Sequence, residues 1–221
     1  MFTGIVQEKG EIRERVPAGK AIRFSIHAPK LSPGLKPGDS VACDGACLTV
    51  EQCDARGFSV SAVPETLDKT TLGSWKAGGR VNLEPALTPQ TPLGGHFMLG
   101  HVDGVCEIIR VTSLAEGEGR EITVRLPEEF LRYCVYKGSL ALSGVSLTIA
   151  EIEGDAARFA VIPHTLQETN LGDAEAGTRL NFEVDILAKY VERQLAVGVL
   201  GGPPKQFPPN PPRGQKREAL G

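Results

Sequence analysis

The chain states one stretch twice, and this duplication constrains its fold more than any other feature. Ser40-Val41-Ala42-Cys43-Asp44-Gly45-Ala46-Cys47-Leu48-Thr49-Val50 is followed 99 residues later by Ser139-Leu140-Ala141-Leu142-Ser143-Gly144-Val145-Ser146-Leu147-Thr148-Ile149. The same spacing relates Pro64-Glu65-Thr66-Leu67 to Pro163-His164-Thr165-Leu166, and Leu72-Gly73 to Leu171-Gly172. It also relates Arg80-Val81-Asn82-Leu83-Glu84 to Arg179-Leu180-Asn181-Phe182-Glu183, and a spacing of 100 aligns Gly4-Ile5-Val6 with Gly104-Val105-Cys106. A register held across separated blocks marks a duplicated domain. Each copy, of roughly 95 residues, is long enough to fold alone.

The 221 residues carry a net charge of −3 and only 5% aromatic side chains. The charge gives no reason to expect nucleic acid or an anionic membrane surface, and the few aromatics argue against base stacking. No apolar run is long enough to span a bilayer. Met1-Phe2-Thr3-Gly4-Ile5-Val6 has neither a basic leader region nor a signal-peptide core, so the expected location is cytoplasmic. Cys43, Cys47, Cys53, Cys106 and Cys134 form no Cys-x-x-Cys pair, and His96 and His101 add no ligand spacing. The expectation is reduced, mostly buried thiols and no metal.

Short alternating segments set the fold class. Ala21-Ile22-Arg23-Phe24-Ser25-Ile26 alternates as a half-buried strand does, after a turn around Pro17-Ala18-Gly19. The stretch 40–50 reads as the central strand, with Val60-Ser61-Ala62-Val63 and Arg80-Val81-Asn82-Leu83 as further strands. Pro64 to Gly73 reads as one short helix, with Pro near its start and Gly at its end. Many short strands with Gly and Pro turns indicate small closed barrels. The prediction is all-β: two tandem β-barrels related by internal duplication, at 1–96 and 97–184, joined by a stiff Pro- and Gly-rich link at 84–95. Beyond the repeat, 185–198 spaces Ile186, Leu187, Tyr190, Val191 and Leu195 as an amphipathic helix, too short to be stable alone, which either packs on its own barrel or meets a copy of itself in an oligomer. The Pro-rich 199–221 reads as a disordered tail.

The repeated stretch carries the chemistry. Residues i and i+2 share a face of a strand, so Cys47 and Thr49 point one way, and Ser146 and Thr148 do likewise. Small polar groups beside Gly45 and Gly144 make a shallow strip that a flat ligand can approach. The plain alternative is that the hydroxyls satisfy backbone groups and the thiol packs as a small hydrophobe. Two copies predict two similar pockets, and their differences are informative: Cys47 stands against Ser146, Glu65 against His164, and Gly38 against Lys137.

These residues resemble the riboflavin synthase family (alpha chain, built of lumazine-binding domains). The resemblance rests on the opening Met1 to Val6, on Gly45-Ala46-Cys47-Leu48-Thr49-Val50, and on Pro64-Glu65-Thr66-Leu67. It continues through Gly94-Gly95-His96-Phe97, Gly100-His101-Val102-Asp103-Gly104, Gly144-Val145-Ser146-Leu147-Thr148 and Asp185 to Arg193, in matching order over about residues 1 to 196. It implies two six-stranded Greek-key barrels per chain and a homotrimer joined through the C-terminal helices. The implied reaction is dismutation of two molecules of 6,7-dimethyl-8-ribityllumazine per site, by four-carbon transfer, to riboflavin and 5-amino-6-ribitylamino-pyrimidinedione. No cofactor is implied, and an association with lumazine synthase is left open.

The resemblance also assigns roles. His101 would shuttle the proton of an acidic ring methyl, and Cys47 and Ser146 would add to the ring or position water against it. Ser40 and Thr148 would orient or relay protons, Lys137 and Asp185 would stand at an inter-subunit site, and Phe2 would cover the ring. Substrate contacts are expected in the first barrel from Gly4, Ile5 and Val6, from Cys47, Leu48 and Thr49, and from Ser61, Ala62, Val63, Pro64, Glu65 and Thr66. Gly100, His101 and Val102 lie nearby. In the second barrel they are Ser146, Leu147 and Thr148, then Ile162, Pro163, His164, Thr165, Leu166 and Gln167, with Lys137. Ser143 and Leu99 depart from the family pattern and bear on the second pocket. The competing readings are a non-catalytic lumazine- or flavin-binding protein of the same fold and a two-barrel flavin reductase module. The first needs none of the reactive side chains, and the second lacks its flavin motif here.

Overall fold

The computed structural model describes residues 1–115 and 117–197. Strands β1 (Glu8–Ala18), β2 (Ala21–His27), β3 (Ser40–Cys43), β4 (Ala46–Cys53), β5 (Gly57–Ala62) and β6 (Arg80–Pro85) close a barrel in the order β1-β2-β5-β4-β3-β6. Alternation builds its core. Along β4, Ala46, Leu48 and Val50 turn inward while Cys47 is half-buried and Thr49 exposed. Phe24, Ile26, Val41, Phe58, Val60, Val81 and Leu83 fill the interior. Trp75 meets Phe24 edge-on at 5.1 Å between ring centroids. Phe24 is fully buried, so Phe24→Ala would cost about 3–5 kcal/mol.

Strands β7 (Gly104–Ser113), β8 (Arg120–Arg125), β9 (Ser139–Leu142), β10 (Val145–Glu153), β11 (Ala156–Val161) and β12 (Arg179–Val184) close a second barrel. Around the ring the order is β7-β8-β11-β10-β9-β12, the same antiparallel Greek-key path as the first. The β-bulges recur too, between Val50 and Gln52 and between Ile149 and Glu151. The predicted pair of six-stranded barrels is therefore the fold. Among the described residues four α-helices accompany them: α1 (Pro64–Lys69), α2 (Glu128–Leu131), α3 (Pro163–Glu168) and α4 (Ile186–Ala196). Both α1 and α3 begin on a proline after an extended residue, where the missing N–H costs nothing. Helix α4 exposes Leu187, Tyr190, Val191 and Leu195. Among the described residues, no helix is long and apolar enough to cross a membrane.

Four details differ from the sequence reading. The stretch 40–50 is a hairpin, β3 and β4, turned by Asp44 (φ 45°) and Gly45 (φ 81°). Two left-handed residues in a two-residue loop make a type I′ turn. Strand β1 has no counterpart in the sequence reading, because past Ile12 the charged Arg13, Glu14 and Arg15 face solvent in a row, and no inward apolar alternation marks it. The single helix at 64–73 is α1 followed by a 3-10 turn at Thr71–Ser74. Finally, Glu8 pairs with Leu83 while Gly104 pairs with Phe182, so the N-terminal parts of the copies match at a spacing of 96, not 100. Gly4 therefore corresponds to Gly100. The predicted tail at 199–221 lies outside the described residues.

Candidate active site

The two hairpin tips meet. Ser143 (φ 43°) and Gly144 (φ 79°) repeat the turn of Asp44 and Gly45. A Cβ on Gly45 would stand 2.9 Å from the Gly144 nitrogen, and one on Gly144 would stand 2.7 Å from the Gly45 nitrogen. Backbone contact this close admits no side chain. Asn82 and Asn181 stitch the tips together: Asn82 Nδ2 donates to the Ser143 carbonyl and Asn181 Nδ2 to the Asp44 carbonyl, each at 2.8 Å. Asp44 accepts from Asn82 N–H and Asn170 Nδ2. Burial nevertheless pushes its carboxyl up to about 7, with the hydrogen bonds from Asn82, Asn170 and Trp75 acting against it.

On the outer face of the first barrel, Ser40 pairs with Thr49 and Ala42 with Cys47 across β3 and β4. On the second, Ser139 pairs with Thr148 and Ala141 with Ser146. Cys47 and Ser146 are half-buried, and Thr49 and Thr148 exposed. Each strip is completed by a segment from the opposite end of the sequence repeat. The Gly100 carbonyl accepts from Cys47 N–H at 2.8 Å, and the Gly4 carbonyl accepts from Ser146 N–H at 2.8 Å. Both glycines are left-handed, at φ 78° for Gly4 and φ 74° for Gly100.

Two buried glutamates hold these crossing segments. Glu84 accepts from Thr3 N–H, Thr3 Oγ1 and Gly4 N–H, and Glu183 accepts from Leu99 N–H and Gly100 N–H. Burial raises the Glu84 carboxyl, although the donors on Thr3 and Gly4 pull it back. Leu99 is the structural counterpart of Thr3, so its departure from the family pattern replaces a hydroxyl that, at Thr3, bonds the glutamate. The two segments also pair with each other, Phe2 with Met98, through N–H to carbonyl bonds of 2.8 and 3.1 Å.

The lumazine binding domain family matches residues 3–86 and 99–185, which are the two barrels with their crossing segments. A riboflavin synthase of Mycobacterium tuberculosis is 41% identical over 199 residues, covering 88% of this chain and 98% of that one. One of Photobacterium phosphoreum is 38% identical over 198 residues, covering 89% and 90%. The chain belongs to the riboflavin synthase family. Among solved structures, LumP complexed with riboflavin superposes with a TM-score of 0.77 at 25% identity, covering 83% of this chain and 99% of that one. LumP complexed with 6,7-dimethyl-8-(1'-D-ribityl) lumazine gives a TM-score of 0.75 at 24% identity, with the same coverage.

Several of the side chains expected at the site of a riboflavin synthase are buried. Phe2 is fully buried with Met98, Ala42 and Ala141, and this cluster packs against Cys47 of the first strip. Leu48, Leu147 and Ala62 turn into the barrel cores, because strand alternation sends them opposite to Cys47, Ser146 and Ser61. Gly4, grouped in the sequence reading with the first barrel, bonds Ser146 of the second. The close packing of the exchanged segments causes that swap: a Cβ on Gly4 would stand 2.5 Å from Ser146 Cβ.

The remaining candidates lie at or near the surface. His101 is exposed directly after Gly100, and Ser61 and Thr66 are half-buried. Val63 and Ile162 are matched exposed hydrophobics at the starts of α1 and α3, 55% and 58% exposed. Pro64, Glu65, Pro163, His164 and Gln167 are exposed, and Val6, Val102, Thr165, Leu166 and Asp185 half-buried. Ser40 also lines a groove of about 640 Å³ with Lys30, Asp39 and Pro85. Lys137 is exposed and left-handed at φ 63°, where its counterpart Gly38 has φ 96°. A lysine held there stores backbone strain.

The thiols divide sharply. Burial pushes Cys106 up to about 12 and Cys134 to about 11. It raises Cys43 strongly as well, helped by Asp44 and Cys47. These are inert packing groups, whereas Cys47 stands on the strip. Sequence reasoning gives His96 no role, yet its Nδ1 stands 2.7 Å from Ser146 Oγ. Its only local signal is the Gly94-Gly95 pair, which lets the chain press against Ser146.

Proposed function

We propose that the chain catalyses the riboflavin synthase reaction, a transferase reaction. Two molecules of 6,7-dimethyl-8-ribityllumazine dismutate, and the four carbons lost by one complete the third ring of riboflavin on the other. The remainder leaves as 5-amino-6-ribitylamino-pyrimidinedione. The observation that carries this reading is the pair of outward strips, alike in backbone and different in reactive group. Cys47 with His101 marks one, and Ser146 marks the other. A dismutation asks for that arrangement: one compound bound twice, in two roles.

His101, exposed beside the Cys47 strip, takes the proton from the ring methyl, since an imidazole nitrogen can both accept and return a proton. Cys47 or Ser146 adds to the ring carbon of the partner molecule or holds water against it. Ser40 and Thr148 orient the ring and relay protons. Lys137 stabilises the developing anion, and Asp185 stands with it at the inter-subunit site. Holding two flat substrates in contact turns a bimolecular encounter into a local event, which supplies much of the rate. The reactive pair forms between the first barrel of one protomer and the second barrel of another, in a homotrimer. The exposed Leu187, Tyr190, Val191 and Leu195 of α4 support an assembly of that kind. Cytoplasmic residence, and an association with the lumazine synthase that supplies the substrate, complete the proposal.

The test is turnover of purified protein given 6,7-dimethyl-8-ribityllumazine alone, with Cys47→Ser, His101→Ala and Ser146→Ala compared. Loss of a general base or nucleophile lowers kcat by roughly 10²–10⁴. Tight binding without turnover in the unmodified protein would overturn the reading and leave a lumazine carrier.

A further inference from the structure

His96 belongs to neither strip, yet its ring reaches one. It is 7% exposed, with Nδ1 at 2.7 Å from Ser146 Oγ and Nε2 buried without a partner. The ring cannot easily leave. His96 N–H donates to the Thr3 carbonyl at 3.1 Å, and a Cβ on the preceding Gly95 would stand 2.8 Å from Ser146 Cβ. Burial also holds the imidazole below its ordinary value, against the pull of Asp185, so the neutral ring is favoured near neutral pH.

A neutral ring carries one proton, and the surroundings choose its place. On Nε2, the proton would be a buried donor with no acceptor, a costly state. On Nδ1, it is used in the bond to Ser146, and only a lone pair stays unmatched. A serine that accepts from Nδ1 has its own proton free to point elsewhere. The first strip has no equivalent, because its histidine, His101, is exposed.

We infer that His96 is a positioning residue for Ser146, donating Nδ1–H to Oγ and so directing the serine's own proton outward, to an acceptor atom of the bound pteridinedione. The inference rests on the reading of Ser146 as a group that faces substrate. It makes the second barrel the pocket with a directed hydroxyl donor, and it separates the roles of two strips whose backbones are alike.

The tautomer is measured on ligand-free protein labelled with ¹⁵N in its imidazole rings. The expected result is a neutral His96 protonated at Nδ1; protonation at Nε2 would overturn the inference, whatever the protein does with lumazine. Kinetics supply the second arm. His96→Asn places an amide N–H where Nδ1–H stood and stays within about threefold of the unmodified kcat. His96→Leu loses roughly ten- to a hundredfold, and His96→Gln does not rescue it. In a Ser146→Ala background, His96→Leu then adds no further loss. Equal losses for the Asn and Leu variants with unchanged folds, or full additivity with Ser146→Ala, would contradict it.

Discussion

Gly4 and Gly100 are equivalent residues with exchanged partners: the Gly4 carbonyl accepts from Ser146 of the second barrel, and the Gly100 carbonyl accepts from Cys47 of the first. The exchange ties each strip to the other half of the chain. Gly4→Ala and Gly100→Ala would each force a left-handed side chain into the opposing strand, at 2.5 Å from Ser146 Cβ and 2.6 Å from Cys47 Cβ. Each is expected to cost about 1–3 kcal/mol of stability. Denaturant midpoints and single-ligand binding would check this, with Gly4→Ala weakening the Ser146 strip and Gly100→Ala the Cys47 strip. Equal damage to both strips by either change would contradict the exchange.

Asp44 predicts a pH dependence. Its carboxyl is pushed up to about 7 by burial, while an unfolded aspartate sits near 3.9. The native state therefore holds this proton more tightly than the unfolded chain. The stability it lends is fully present below about pH 4 and is lost as pH rises through about 7. The cost is on the order of 1.4 kcal/mol for each pH unit between the two values. Asp44→Asn keeps an oxygen for Asn82 and Asn170 and suits the I′ turn, so it should flatten stability between about pH 4 and 7. An unchanged slope in urea titrations would mean that Asp44 stays ionised.

Lys137 and Ser143 test whether backbone strain is tied to function. Both are left-handed where glycine would be relaxed, so each change to Gly should raise stability by about 0.5–1 kcal/mol. The activities should then part. Ser143→Gly, whose side chain lies buried in the hairpin contact, should leave kcat close to the original. Lys137→Gly should lower it at least roughly tenfold through the loss of a cation near the developing anion. Full activity for Lys137→Gly would remove that lysine from the mechanism.

The duplication is legible in the sequence because each copy repeats the same inward apolar and outward polar positions, so small closed barrels and the strips of Cys47 and Ser146 follow from alternation and turn residues, while the count of six strands rests on the family resemblance. The Asp44-Gly45 turn is also written there, as a dipeptide suited to I′ hairpins, although continuous β-formers on either side make it read as one strand. Charged outer residues hide β1 altogether, for the opposite reason. What no local pattern shows is the exchange. Thr3 and Glu84, or Leu99 and Glu183, lie more than eighty positions apart, and only tertiary packing brings Gly4 to Ser146. The same distance conceals His96, which precedes Ser146 by fifty positions, and the burial of Phe2 against Met98, Ala42 and Ala141.

The central claim is that two like barrels bind one compound in two roles. It is tested most directly by running 6,7-dimethyl-8-ribityllumazine to exhaustion on the purified protein and counting both ring systems. The account predicts one riboflavin for every two lumazines consumed, with one ribitylamino-pyrimidinedione beside it. Riboflavin in any other ratio, or lumazine bound and recovered unchanged, would contradict it.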